Sequence, residues 1–236
     1  MSDSELAINA VFNIGPLEVT NTVITTWGIM VTLGLFSWLA TRRLSQTPGK
    51  VQTILEATVT TIENAVAEVA PQQAKTLTPF IGTLWIFLVT ANLSGLIPGL
   101  HSPTRDLSAT SAMAIVVFLS AHWYGIRAIG IKKYLRHYLR PSPILLPFHL
   151  VSEITRTVAL AIRLFGNMMS LEMAALLILL VAGFLAPVPI LLLHIIEALV
   201  QAYIFGMLAL VYVAGGIQSQ QLKNASIEQN VNKNKE

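Results

Sequence analysis

Five apolar stretches dominate the pattern along the chain. They run from about Val19 to Ala40, Phe80 to Gly99, Ser108 to Ile131, Ile144 to Ala182 and Ile190 to Ile217. A helix needs roughly 20 predominantly apolar residues to cross a bilayer, and each stretch is of that order or longer. The fourth is too long for one perpendicular crossing, so it must tilt steeply or begin in the interface. The sequence shows neither the alternation of a membrane barrel nor the paired repeats of an inverted transporter.

The segment Val51 to Val69 follows a different pattern. Glu56, Glu63 and Glu68 recur among Ile54, Leu55, Val59, Ile62 and Val66, which gives one helix a polar and an apolar face. Such a helix lies on the bilayer or against partner subunits rather than spanning it. A cytosolic connector helix is the plainer alternative. The expected fold class is therefore all-α integral membrane: about five membrane helices plus one interfacial amphipathic helix, the last two spans forming a long tilted helical hairpin. Residues 1–18 are expected as an external N-terminal segment and 19–217 as one membrane domain. Residues 218–236, rich in Asn, Gln and Lys, are expected as a disordered cytoplasmic tail.

Composition agrees. Hydrophobic residues make up 54% and charged residues 11%, where soluble domains carry about a quarter charged. The absence of cysteine excludes a disulfide framework, a thiolate nucleophile and a Cys-based metal site. No metal-ligand spacing is seen, and no cofactor is expected. Met1 to Glu18 is acidic and polar, so a cleaved signal peptide is not expected. The net charge is only +3, and the clustering of Lys and Arg bears on topology rather than on nucleic acid. With the N-terminus outside, twelve of the 15 Lys and Arg fall in cytoplasmic segments, Arg105 in an outer loop, and Arg156 and Arg163 inside a span. That is the positive-inside pattern, and it predicts N-out and C-in.

Ionisable groups at membrane depth cost several kcal/mol and mark functional paths. They concentrate in the fourth and fifth spans: Glu153, Arg156, Arg163, Glu172, His194 and Glu197, with the amides Asn167 and Gln201. Arg156, Arg163 and Asn167 share one helix face, whereas Glu172 lies half a revolution from Arg163. His194, Glu197 and Gln201 form a polar stripe. A fold-back near Gly183 brings Arg163 level with Gln201, and Glu172 level with His194. Two polar layers are then expected, a cation with an amide at mid-membrane and a carboxylate with a histidine nearer the outside. Glu and His can relay protons, while Arg163 is a permanent cation that can hold a carboxylate ionised or block a passing proton.

Each group also has a plainer role. Arg163 could be half of a structural ion pair, Arg156 could snorkel with Glu153 as its partner, and Glu172 with His194 could be a static pair. His101, His122, His137 and His149 lie in loops or near span ends, where interfacial placement suffices.

The run Arg163-Leu164-Phe165-Gly166-Asn167-Met168, preceded by Glu153-Ile154-Thr155-Arg156-Thr157, closely resembles subunit a of F-type ATP synthases. So do Gln201-Ala202-Tyr203-Ile204-Phe205 followed by Tyr212, the run Asn92 to Gly99, and the stretch Tyr134 to Pro147. The resemblance implies a bacterial inner-membrane stator subunit packed against a rotating ring of c subunits, with peripheral-stalk b subunits and membrane lipids as further partners. The transported ion is H+ or Na+. It enters by one aqueous half-channel, rides on a ring carboxylate and leaves by a second. Arg163 is implied as the essential arginine separating the two, with Gln201 beside it. Asn167, Glu172 and His194 are implied in the outer half-channel, and Glu153 in the inner route. Glu197 is less characteristic and is expected as an added relay in the outer channel. The Trp27 region and Thr41-Arg42-Arg43-Leu44 also resemble the alternative, often sodium-linked N-type branch. The chain carries no phosphate-cradling Gly-rich loop, so ATP chemistry is expected in the separate catalytic head. A self-contained transporter anchored on Arg163 and a purely structural scaffold are the rival readings.

Overall fold

In the computed structural model the described residues are 10–14, 17–42, 49–97, 100–131, 146–182 and 188–233. Six helices carry the architecture: α1 (Asn21–Thr41), α2 (Lys50–Val69), α3 (Ala74–Leu93), α4 (Leu107–Ile129), α5 (Leu146–Ala182) and α6 (Val188–Lys233). All but α2 are long and apolar enough to cross a membrane. The five expected spans and the amphipathic helix between the first two are therefore present. At 37 residues, α5 reaches about 55 Å against a hydrocarbon core of about 30 Å, so it cannot stand upright within it.

Local chemistry sets several boundaries. The Asp106 carboxylate caps α4 by accepting a hydrogen bond from the Ser108 backbone N–H at 2.9 Å. Gly130 ends the same helix at a φ of 83°, a backbone conformation that glycine adopts without strain. Two single-turn 3-10 segments, Ser94–Leu96 and Pro103–Arg105, lie in the connection from α3 to α4.

The helices form a bundle in which α4 packs on α5 and α6, α3 on α6, and α5 on α6. Its interior holds Leu77, Ile81, Leu84, Trp85 and Leu88 of α3, Leu160, Leu164 and Met168 of α5, and Phe205, Leu210 and Val213 of α6. The α3–α6 contact is very close. A Cβ placed on Gly206 would overlap the Trp85 indole, whose Nε1–H donates to the Tyr203 carbonyl at 3.3 Å while its ring stacks on that of Tyr203. Small residues that let membrane helices approach in this way replace the hydrophobic driving force available in water. By contrast α1 is peripheral, with only Ile29 buried among its residues.

Three observations depart from expectation. The apolar face of α2 is covered by the chain itself only toward its C-terminal end, where Val66 is fully buried and Ile62 packs over Gly82 of α3, while Ile54 and Val59 stay exposed. The N-terminal segment contains two short strands, Ala10–Ile14 and Leu17–Thr20, paired antiparallel with Ile14 opposite Leu17. The polar residues after Gln218, expected to be disordered, continue α6 as helix through Lys233. Asn, Gln and Lys are tolerated in a helix once it is nucleated by a preceding membrane span. The fold-back expected near Gly183 and most of the stretch Tyr134 to Pro147 lie outside the described residues.

Candidate functional site

Depth along α5 is the natural frame. Glu153 and Glu172 are nineteen residues apart, roughly 28 Å at 1.5 Å per residue, close to the thickness of a hydrocarbon core. Arg163 stands midway between them. Each of the three has different surroundings.

At the middle level, Asn167 Nδ2 donates to Gln201 Oε1 at 2.8 Å across the α5–α6 seam. The expected layer set Gln201 level with the cation Arg163; the partner Gln201 has is instead the amide Asn167, one turn further along α5. Gln201 is buried, and its Nε2 is without a partner. Arg163 is exposed on the outer surface of the bundle. Among the described residues it has no hydrogen bond, ion pair or ring contact. A Cβ on neighbouring Gly166 would meet nothing within 4 Å, so the surface beside the arginine is open. No structural ion pair within the described residues accounts for the Arg163 charge.

At one end, Glu172 Oε1 accepts from Arg105 Nη1 at 2.9 Å and pairs with His101 Nδ1 at 3.0 Å. The expected pairing of Glu172 with His194 is therefore corrected. His194 is buried elsewhere, its Nε2 at 3.4 Å from the Asn92 carbonyl of α3. Helical phase explains the failure. Glu172 lies half a turn from the Arg163–Asn167 face, the face that meets α6 at Gln201, and so meets the α3–α4 connection instead. A cavity of about 230 Å3 lies beside it, lined in part by Thr22, Arg105, Asp106, Phe165 and Met169.

At the other end, Glu153 Oε1 lies 3.6 Å from His122 Nε2 on α4, while the Arg156 guanidinium sits 4.6 Å over the Tyr212 ring. His122, placed by its position near a span end as merely interfacial, thus belongs to this cluster. Glu197 is half-buried and makes no hydrogen bond or ion pair among the described residues.

A buried polar network ties the Glu172 end to the bundle. Asn92 is fully buried; its Nδ2 donates to the Ala198 carbonyl at 3.1 Å and its Oδ1 accepts from the Thr104 hydroxyl at 2.8 Å. Thr104 also lies 2.6 Å from the Ser102 hydroxyl, which donates to the Ala91 carbonyl. One side chain thus joins α3, α6 and the connection carrying His101 and Arg105. Asn92→Leu should cost about 1–3 kcal/mol, the penalty for leaving buried partners unsatisfied. Thermal unfolding of the detergent-solubilised protein checks this, and an unchanged midpoint would deny the network its role. In the sequence Asn92 stands only as the first residue of the run Asn92 to Gly99. Its signal was an amide in an apolar span, as telling as the charges.

The family model described as ATP synthase A chain matches residues 23–214. The chain is 64% identical over 220 residues to "ATP synthase subunit a 2" of Pelobacter propionicus, covering 93% of this chain and 96% of that protein. It is 68% identical over 206 residues to "ATP synthase subunit a 1" of Hahella chejuensis, covering 87% and 88%. It is 53% identical over 225 residues to "ATP synthase subunit a" of Legionella pneumophila, covering 95% and 98%. With five apolar helices and these relatives, the molecule is a multi-pass membrane protein of the ATP synthase membrane sector, and it belongs to the family of F-type ATP synthase subunit a.

Proposed function

We propose that this chain is the ion-translocating stator of the membrane sector, with Arg163 as the gate between two offset access routes. The observation that carries the proposal is the position of Arg163: midway along α5, exposed, and without a partner among the described residues. A permanent cation at membrane depth needs a counter-charge or water. Here the open surface beside Gly166 leaves room for one supplied by another subunit. A ring of c subunits bearing a carboxylate fits that requirement. Arg163 would attract the carboxylate, favour loss of its ion, and bar direct passage from one route to the other.

Two clusters at opposite ends of α5 support separate routes. His101, Arg105 and Glu172 would form the outer one, and His122, Glu153 and Arg156 the inner one. In this scheme the Asn167–Gln201 bond holds the seam beside the gate, while His194 braces α6 against α3. Glu197 is kept as an added group on the outer side. The basic-residue count favours N-out and C-in in a bacterial plasma membrane, with the b subunits and lipid covering the exposed apolar faces. The coupling ion, H+ or Na+, is set mainly by the ring site.

Cross-linking tests the facing surface, and the lack of native cysteine in the chain makes introduced ones unique within it. Cysteines at Ala159 or Ser170, both exposed on the Arg163 side, should form disulfides with a cysteine placed beside the ring carboxylate. A cysteine at buried Ala161 should not. Equal yields from all three positions, or none from any, would contradict the proposed interface.

A further inference from the structure

We propose that His101 is the proton-exchanging residue at the mouth of the outer route, handing protons between bulk water and Glu172. The assignment rests on the ion-path reading above but adds a residue that the α5–α6 motifs do not contain.

His101 is the more accessible member of the cluster. Its side chain is 37% exposed, against 16% for both Glu172 and Arg105. It therefore bridges solvent and a largely enclosed carboxylate. Arg105 binds the same oxygen, Oε1, from the other donor position, which fixes the carboxylate and leaves Oε2 enclosed and without a partner. The adjoining cavity, about 230 Å3, has room for several waters at about 30 Å3 each. Phe165 and Met169, on the same face of α5 as Glu172, line it. Donor, acceptor and onward space thus lie in sequence. The charged groups around His101 are Arg105 and Glu172, with Asp106 lining the same cavity.

The transfer balances simply. With a carboxylate oxygen as acceptor, Nδ1 carries the hydrogen. A proton from solvent binds Nε2, the Nδ1–H bond breaks, and an O–H bond forms on Glu172. The imidazole is left neutral, and exchange with water returns its hydrogen to Nδ1. The carboxylic acid then passes its proton to cavity water and is again a carboxylate. One proton has entered and one has left. Imidazole suits this place because it exchanges protons within the physiological range.

The test uses the whole ATP synthase reconstituted in vesicles, scored per assembled complex by ATP hydrolysis. His101→Gln keeps a hydrogen-bonding group but cannot exchange protons, and should lower proton-driven ATP synthesis at least roughly tenfold. His101→Ala should show the same loss, and imidazole added on the outer side should restore much of the rate. Imidazole should restore nothing in Glu172→Gln. A structural role would be repaired by the glutamine and not by the free base. Wild-type synthesis in His101→Gln, or a loss in His101→Ala that imidazole leaves unrepaired, overturns the assignment. Coupled transport surviving in Arg163→Ala is a separate result and would overturn the ion-path reading itself.

Discussion

Gly206→Ala is expected to destabilise the chain by about 2–4 kcal/mol, combining overpacking with loss of a buried hydrogen bond. A Cβ there enters the volume of the Trp85 indole. The ring has little room to retreat, since it is buried, stacked on Tyr203 and bonded to the Tyr203 carbonyl. The helices α3 and α6 must separate or the indole must turn out of the core. Either change loosens the seam that also places Gln201 and the Asn92–Ala198 bond. Less chain should accumulate in assembled complexes, and the solubilised protein should unfold at a lower temperature. Trp85→Leu combined with Gly206→Ala should recover part of the loss. A single variant that assembles and melts like the parent would show that the close approach carries no energy.

The spans were legible because membrane crossing imposes a length and a polarity that few other constraints override. The 3.6-residue period of Val51 to Val69 likewise foretold α2, although not that α3 would cover the Ile62–Val66 end of its apolar face. Nothing so strong marked the N-terminal hairpin. Gly15-Pro16 is a turn signal, but its flanking strands are too short for alternation to stand out. The polar tail misled in the other direction, because composition alone cannot report a helix propagated from the span before it.

The site was legible in its members and less so in its pairings. Arg163, Asn167 and Gln201 stand out as improbable polar groups in apolar helices, and the fold brings the two amides together. Glu172 stood out in the same way, but its expected partner was wrong. Level was estimated from the hinge, but partner choice followed helical phase, and phase had already turned Glu172 away from the Arg163 face. Its actual partners, His101 and Arg105, lie about seventy residues earlier in a connection whose path no local pattern dictates. Arg105 was a usable clue, since it is the one loop cation that breaks the expected basic-residue asymmetry.

Arg163→Ala carries the second large effect. The substitution removes a side chain with no partner among the described residues, so the fold should lose little, and ATP hydrolysis by the assembled complex should persist. What disappears, under the proposed function, is the fixed charge that would meet a ring carboxylate and separate the two routes. The loss should be functionally complete because no other cation stands midway along α5 or α6; Arg156 is about 10 Å away along the axis and occupied over Tyr212. ATP-driven ion uptake by vesicles bearing the Arg163→Ala complex, compared with wild type at equal content of assembled enzyme, is the direct measurement. The account predicts no uptake above background, and uptake at a rate near wild type would contradict it.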